Sequence, residues 1–138
     1  MDRTILQQLA ELRLKDAEAL LVAGQWDAAY YLLGYCIECA LKACVAKQFR
    51  LHEVPDKELV ISFYTHRLDK LLTISGVKSE MENHARTDSS FEIKWNTVRD
   101  WSETKRYEVG ITEAFARGMY DAVTNTASGV LPWLKTQW

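Results

Sequence analysis

The chain has 138 residues, 48% of them apolar, and a formal net charge of −2. That length supports one hydrophobic core and is short for two, so residues 1–138 are read as a single domain. The near-balanced charge excludes a broadly basic surface of the kind nonspecific phosphate binding needs, and leaves room only for a local basic site.

In chain order, Arg3 to Ala23 carries Ile5, Leu9, Leu12, Leu20 and Val22 among charged residues, a helical period built from good helix formers. Gly24 stops it. The break at Gly24-Gln25 is so short that the next helix is expected to pack antiparallel beside the first.

That next helix, Trp26 to Phe49, dominates the chain. Tyr31, Leu32, Leu33, Cys36, Ile37, Ala40, Leu41, Cys44 and Val45 leave it almost no polar side. A helix apolar around most of its girth has to be covered from several directions, which predicts the central rod of a bundle. Glu38 and Lys42 interrupt it four residues apart, acid first, on the side that also carries Tyr31 and Tyr35. This polar seam is either a weak exposed ion pair or a buried one that meets partners from another helix or another chain.

All three cysteines, Cys36, Cys39 and Cys44, fall on this same helix, and an odd number on one apolar helix reads as reduced core thiols. Cys36 and Cys39 have C-x-x-C spacing, but no second Cys or His pair follows, so no metal and no cofactor are expected. No stretch has the layout of a secretory signal, and no apolar run reads as the ~18–20 residues of a membrane span. The expectation is a cytoplasmic protein.

From Arg50 to Tyr64 the period fades around Pro55, which predicts a loop with a helical turn near Lys57 to Ile61. Thr65 then caps a short helix from His66 to Ile74 with Leu68, Leu71 and Leu72 inward, ended by Ser75-Gly76. Val77 to Arg86 offers a further turn or two, and Thr87 to Ser90 reads as a polar, mobile link. Ser89 and Glu92 have capping-box spacing ahead of Phe91, Trp95 and Val98, predicting a helix from Phe91 to Trp101.

A connector with Lys105, Arg106 and Tyr107 leads to a last helix from Thr112 to Leu134. In it Phe115, Met119, Val123, Ala127, Val130 and Leu134 point inward, Arg117, Asp121 and Asn125 point outward, and Pro132 kinks or ends the last turn. With no strand pattern, repeat or linker, the architecture is an all-α antiparallel bundle of about five helices.

The order of these segments resembles the HEPN (higher eukaryotes and prokaryotes nucleotide-binding) domain over nearly the whole chain. The likeness rests on AAYYLLGYCIECALKA with Glu38 and Lys42, on HRLDKLL from His66 to Leu72, on a tryptophan helix leading to Lys105-Arg106-Tyr107, and on the closing amphipathic helix. It implies a compact helical bundle that dimerises, the company of a minimal nucleotidyltransferase in a toxin–antitoxin or defence module, and binding of a nucleotide or RNA. Many members of that family cleave RNA without a metal through an Arg followed after four to six residues by a His. Imidazole moves protons during attack of the ribose 2′-hydroxyl, and guanidinium holds the phosphate.

This chain departs from that pattern. His52, His66 and His84 have no Arg at that distance upstream, and Arg106 is followed at that range by Ile111, Thr112 and Glu113. What the resemblance implies is therefore a nucleotide- or RNA-binding relative without the usual nuclease motif, the alternative being a metal-independent ribonuclease rearranged around Arg106, Tyr107, His66 and Glu38. Lys105, Arg106 and Tyr107 are the candidate nucleotide-binding residues, and Arg106 and His66 are the candidate catalytic ones. Tyr31, Tyr35, Glu38 and Lys42 form the structural seam, with Arg106 expected to come close to Glu38.

Overall fold

A computed structural model describes residues 2–138, the Arg106 side chain excepted. The described residues form eight α-helices and one 3-10 turn. The helices are α1 (Arg3–Val22), α2 (Trp26–Lys47), α3 (Lys57–Phe63), α4 (Leu68–Ile74), α5 (Lys78–Thr87), α6 (Ser89–Arg99), α7 (Glu113–Thr124) and α8 (Val130–Lys135). The 3-10 turn, Glu103–Tyr107, lies between α6 and α7.

α2 is the spine. It packs against α1, α4, α7, α8 and the 3-10 turn, and Leu33, Cys36, Ile37, Ala40, Leu41, Ala43 and Val45 are sealed from solvent. Each large aliphatic side chain so buried contributes ~1.5–3 kcal/mol. By length and hydropathy α2 also meets the description of a membrane span, contrary to the sequence reading, but 78% of the relevant window is buried under the other helices. Its greasiness is that of a core helix.

α1 and α2 form the expected hairpin. Gly24 takes φ +72°, open to glycine and strained for other residues, while Gln25 N–H bonds back to Leu20 O at 2.9 Å. The buried stripe of α1 is rotated from the one read in sequence: Leu6, Ala10, Ala17 and Leu21 face α2, whereas Ile5, Leu12 and Val22 are exposed. Two alanines on the contact line let the helix backbones approach closely, and the tight approach selects that face.

Five helices become eight for local reasons. Asp56 accepts a bond from Leu59 N–H at 3.1 Å and turns a single predicted turn into α3, although none of its residues is buried. α5 is a full helix, and the supposed mobile link is the sharp junction where Asp88, rather than Ser89, caps α6 by accepting from Phe91 N–H at 3.1 Å. The last helix breaks at Asn125, whose side-chain oxygen accepts from Ala127 N–H and Ser128 N–H, both at 3.0 Å. This Asx turn competes with helix continuation, leaves Ala127 exposed and restarts the chain as α8. Pro132 then sits in the first turn of α8, where its missing N–H costs nothing. Phe115, expected inward, is half-exposed with its ring 5.1 Å from that of Tyr30.

α6 ends at Arg99, two residues early, and Trp101 folds back onto Gly34 of α2. A Cβ at position 34 would stand 2.1 Å from the indole, so only glycine admits the ring. Gly34→Ala is expected to displace Trp101 and lower stability by about 1–3 kcal/mol; urea denaturation followed by tryptophan fluorescence measures it.

Burial sets the chemistry of the α2 thiols. It raises Cys39 and Cys44 from 9.0 to about 11 and drives Cys36 up further still. A folded-state value above the unfolded one stabilises the fold fully below the unfolded value, and that contribution drains away as pH rises through the folded one. Stability is therefore expected to decline between pH 9.0 and about 11, and the thiols to resist iodoacetamide at pH ~8 until urea is added, as thiolate formation controls their reactivity. Urea midpoints across that range and mass spectrometry of the alkylated protein check both.

Candidate functional site

The seam on α2 is buried and partnered from other parts of the chain. Glu38 is 2% exposed. Its Oε1 accepts from Lys42 Nζ at 2.9 Å and also meets His66 Nδ1 at 2.9 Å. One carboxylate oxygen thus holds two side chains, one from the next turn of its own helix and one from 28 residues downstream. The Lys42 ammonium also lies 5.3 Å from the centre of the Phe63 ring on α3, a cation–π contact that covers its other side.

His66 stands just before α4 rather than inside it. The helix starts at Leu68 with Arg67 at the cap position, and Thr65 Oγ1 accepts from Arg67 N–H at 3.2 Å. This placement leaves the imidazole half-exposed at 45%. One ring nitrogen points at Glu38, and Nε2 lies 3.5 Å from the Glu103 carboxylate at the start of the 3-10 turn. A carboxylate that fixes one imidazole nitrogen sets the ring's orientation and leaves the other nitrogen to give or take a proton.

Around this cluster lie the aromatic members of the seam. Tyr31 and Tyr35 are nearly parallel, 6° apart with centroids at 6.5 Å, and Tyr31 leans on Trp101 at 5.8 Å. Burial raises the Tyr35 phenol above its ordinary value, with Cys39 and Glu38 adding to the effect, so it is a neutral donor at physiological pH. Two buried polar atoms here, Glu38 Oε2 and Trp101 Nε1, have no hydrogen-bond partner among the described residues. Both belong to side chains against the same face of α2, where residues 34 and 38 are one turn apart.

The sequence-predicted residues separate into two groups. Glu38, Lys42, His66, Tyr31 and Tyr35 come together on one side of α2. Of the basic connector, Lys105 is engaged by Glu108, with Nζ to Oε1 at 3.0 Å and to Oε2 at 3.2 Å, and Tyr107 is 74% exposed. The Arg106 side chain, expected beside Glu38, lies outside the described residues; the 3-10 turn that bears it packs against α2. Glu103 was missed in sequence, and only its place at the start of that turn brings it to His66. Among the described residues no group of three or more His, Cys, Asp or Glu has the arrangement of a metal site. No family model, curated protein or solved structure matches the chain.

The ion pair at the centre is a liability when halved. Lys42→Met would leave the buried Glu38 carboxylate with His66 as its one partner among the described residues, at a cost of ~3–5 kcal/mol, while the double variant Glu38→Gln with Lys42→Met is expected to recover most of that loss. A double-mutant cycle by urea denaturation reads the difference.

Proposed function

We propose that this chain is a HEPN-like bundle that binds a nucleotide or RNA at the surface built on His66, and that it acts as the homodimeric, cytoplasmic partner of a minimal nucleotidyltransferase in a toxin–antitoxin-like or defence module. The observation that carries the reading is the 2.9 Å bond between His66 Nδ1 and buried Glu38. An imidazole held at Nδ1 by a buried carboxylate has a fixed orientation, and its protonated form would donate from Nε2, which faces Glu103 at 3.5 Å, to a phosphate or ribose oxygen arriving there. The 3-10 turn alongside carries Arg106 and exposed Tyr107, the side-chain types that hold phosphate and stack a base. The order of these residues along the chain supports the family; dimerisation and the enzyme partner follow from that resemblance.

The same bond favours a second reading, a metal-independent ribonuclease. With Glu38 holding Nδ1–H, a neutral His66 would take the ribose 2′-hydroxyl proton at Nε2. The 2′-oxygen would then form its bond to the adjacent phosphorus as the 5′-oxygen bond breaks, giving a cyclic phosphate, and the imidazolium would return the proton to the departing oxygen. Arg106 would neutralise the phosphorane charge.

Fluorescence anisotropy with ATP analogues and short single-stranded RNA tests the binding reading. Affinity is expected to fall about tenfold or more in His66→Ala and in Arg106→Ala, as charge-assisted hydrogen bonds to phosphate are lost. Unchanged affinity in both variants would reject it. Cleavage of RNA in EDTA, abolished by His66→Ala and sharply reduced by Glu38→Gln, would select the ribonuclease. Sedimentation velocity at tens of micromolar is expected to show a dimer, and a monomer there would remove the homodimer from the proposal.

A further inference from the structure

A second surface, of mixed charge, lies along α4, α5 and α6, outside the His66 cluster. There the three helices enclose an open groove of about 560 Å³ with a floor of Leu72, Met81 and Trp95. Lys70 of α4 and Arg99 of α6 line it, and neither has a carboxylate partner among the described residues. Lys78 stands at the start of α5 with Glu82 at 4.0 Å, and Arg86 bonds the neutral Asn83. Because α5 and α6 join at Asp88 and run back antiparallel, Lys78 and Arg99 come to the same open end.

A smaller depression of about 430 Å³ shares Arg99 and Asp69 with this groove and continues past Arg67 to Trp101 and Ser102. Arg67 directly follows His66, and Ser102 directly precedes Glu103, so this depression abuts the His66 cluster. Acidic groups also line the two hollows. Asp69 is taken up by Arg67 at 2.9 Å and Glu82 lies near Lys78. Asp100 lines only the smaller hollow, and Glu92 sits seven residues from Arg99, about 10 Å along the helix and toward the Asp88 junction.

We propose that the two adjacent grooves are a track for single-stranded RNA leading away from His66, with Arg99 and Lys70 on successive phosphates and unpaired bases over the apolar floor of the larger one. The inference rests on the nucleotide- or RNA-binding reading above, and extends it from a single nucleotide to an oligonucleotide. Each hollow alone has the size of a small-ligand site. Their adjacency at Arg99, with the carboxylate-free Lys70 and Arg99 on the rim and apolar surface beneath the larger hollow, is an arrangement that suits a flexible polyanion whose bases are exposed. A paired duplex would hide those bases from the floor.

Anisotropy with labelled uridine oligonucleotides of ~3 and ~12 nucleotides tests it on the full chain. The 12-mer is expected to bind about tenfold tighter than the 3-mer, and Lys70→Gln with Arg99→Gln to remove that advantage while leaving the 3-mer as in the parent. The salt dependence of 12-mer binding should flatten by about 1.4 in the log–log slope, two phosphate contacts of a single strand. Equal affinity for the two lengths, or a 12-mer indifferent to the double substitution, overturns the track while the His66 site stands. If neither length binds, the His66 reading falls and the track falls with it. Circular dichroism of the double variant, whose two side chains are surface ones, is expected to match the parent; if it does not, Lys70→Gln and Arg99→Gln taken singly decide the matter by the same length comparison.

Discussion

A charge placed in the middle of the most apolar helix is the constraint on which the site depends. Glu38 sits on α2 where water cannot reach, so its ionised form needs compensation from inside the protein. Lys42 provides one partner by helical spacing alone. The second partner, His66, must be brought by the loop between α3 and α4, and that requirement settles where the start of α4 docks. Structure and chemistry meet at one oxygen atom: the contact that makes the carboxylate tolerable also aims the imidazole.

The packing around that pair is arranged so that it cannot easily slide. Gly34, one turn before Glu38, admits the Trp101 ring against the α2 backbone, and Trp101 in turn fixes where the 3-10 turn begins. Glu103, two residues on, reaches His66 from above. Phe63 lies against the Lys42 ammonium, although α3 itself buries no residue. The seam is thus bounded by a rigid side, α2 and Trp101, and by a lightly held one, the α3 segment. Local opening is cheapest where few side chains are buried, so motion near the site would originate in α3.

Electrostatics divide the surface as well. Near His66 the lysine of the basic connector is already satisfied by Glu108, whereas Lys70 and Arg99 are not satisfied by their neighbours. Those two cations stand on the α4 and α6 rims of a groove floored by Leu72, Met81 and Trp95.

Much of this was legible before any coordinates. The largely apolar girth of α2 showed that it is the spine, Gly24 marked the hairpin, Leu68, Leu71 and Leu72 marked the inner face of α4, and the spacing of Glu38 and Lys42 marked the seam. Such features are local, carried by period and by residue type at a turn. The rotated face of α1 was not legible, because the closeness of approach between two helices chooses among competing stripes. The break at Asn125 and the cap at Asp88 depended on side-chain bonds that rival the helix, and residue type alone does not say which bond wins. Most of all, the meeting of His66 with Glu38 at one ring nitrogen and Glu103 at the other joins segments far apart in sequence. Composition and periodicity determined that a charged seam would lie on an apolar helix; only the tertiary structure decided which distant side chain joins Lys42 on its carboxylate, because that choice is made by the packing of the loops over the spine.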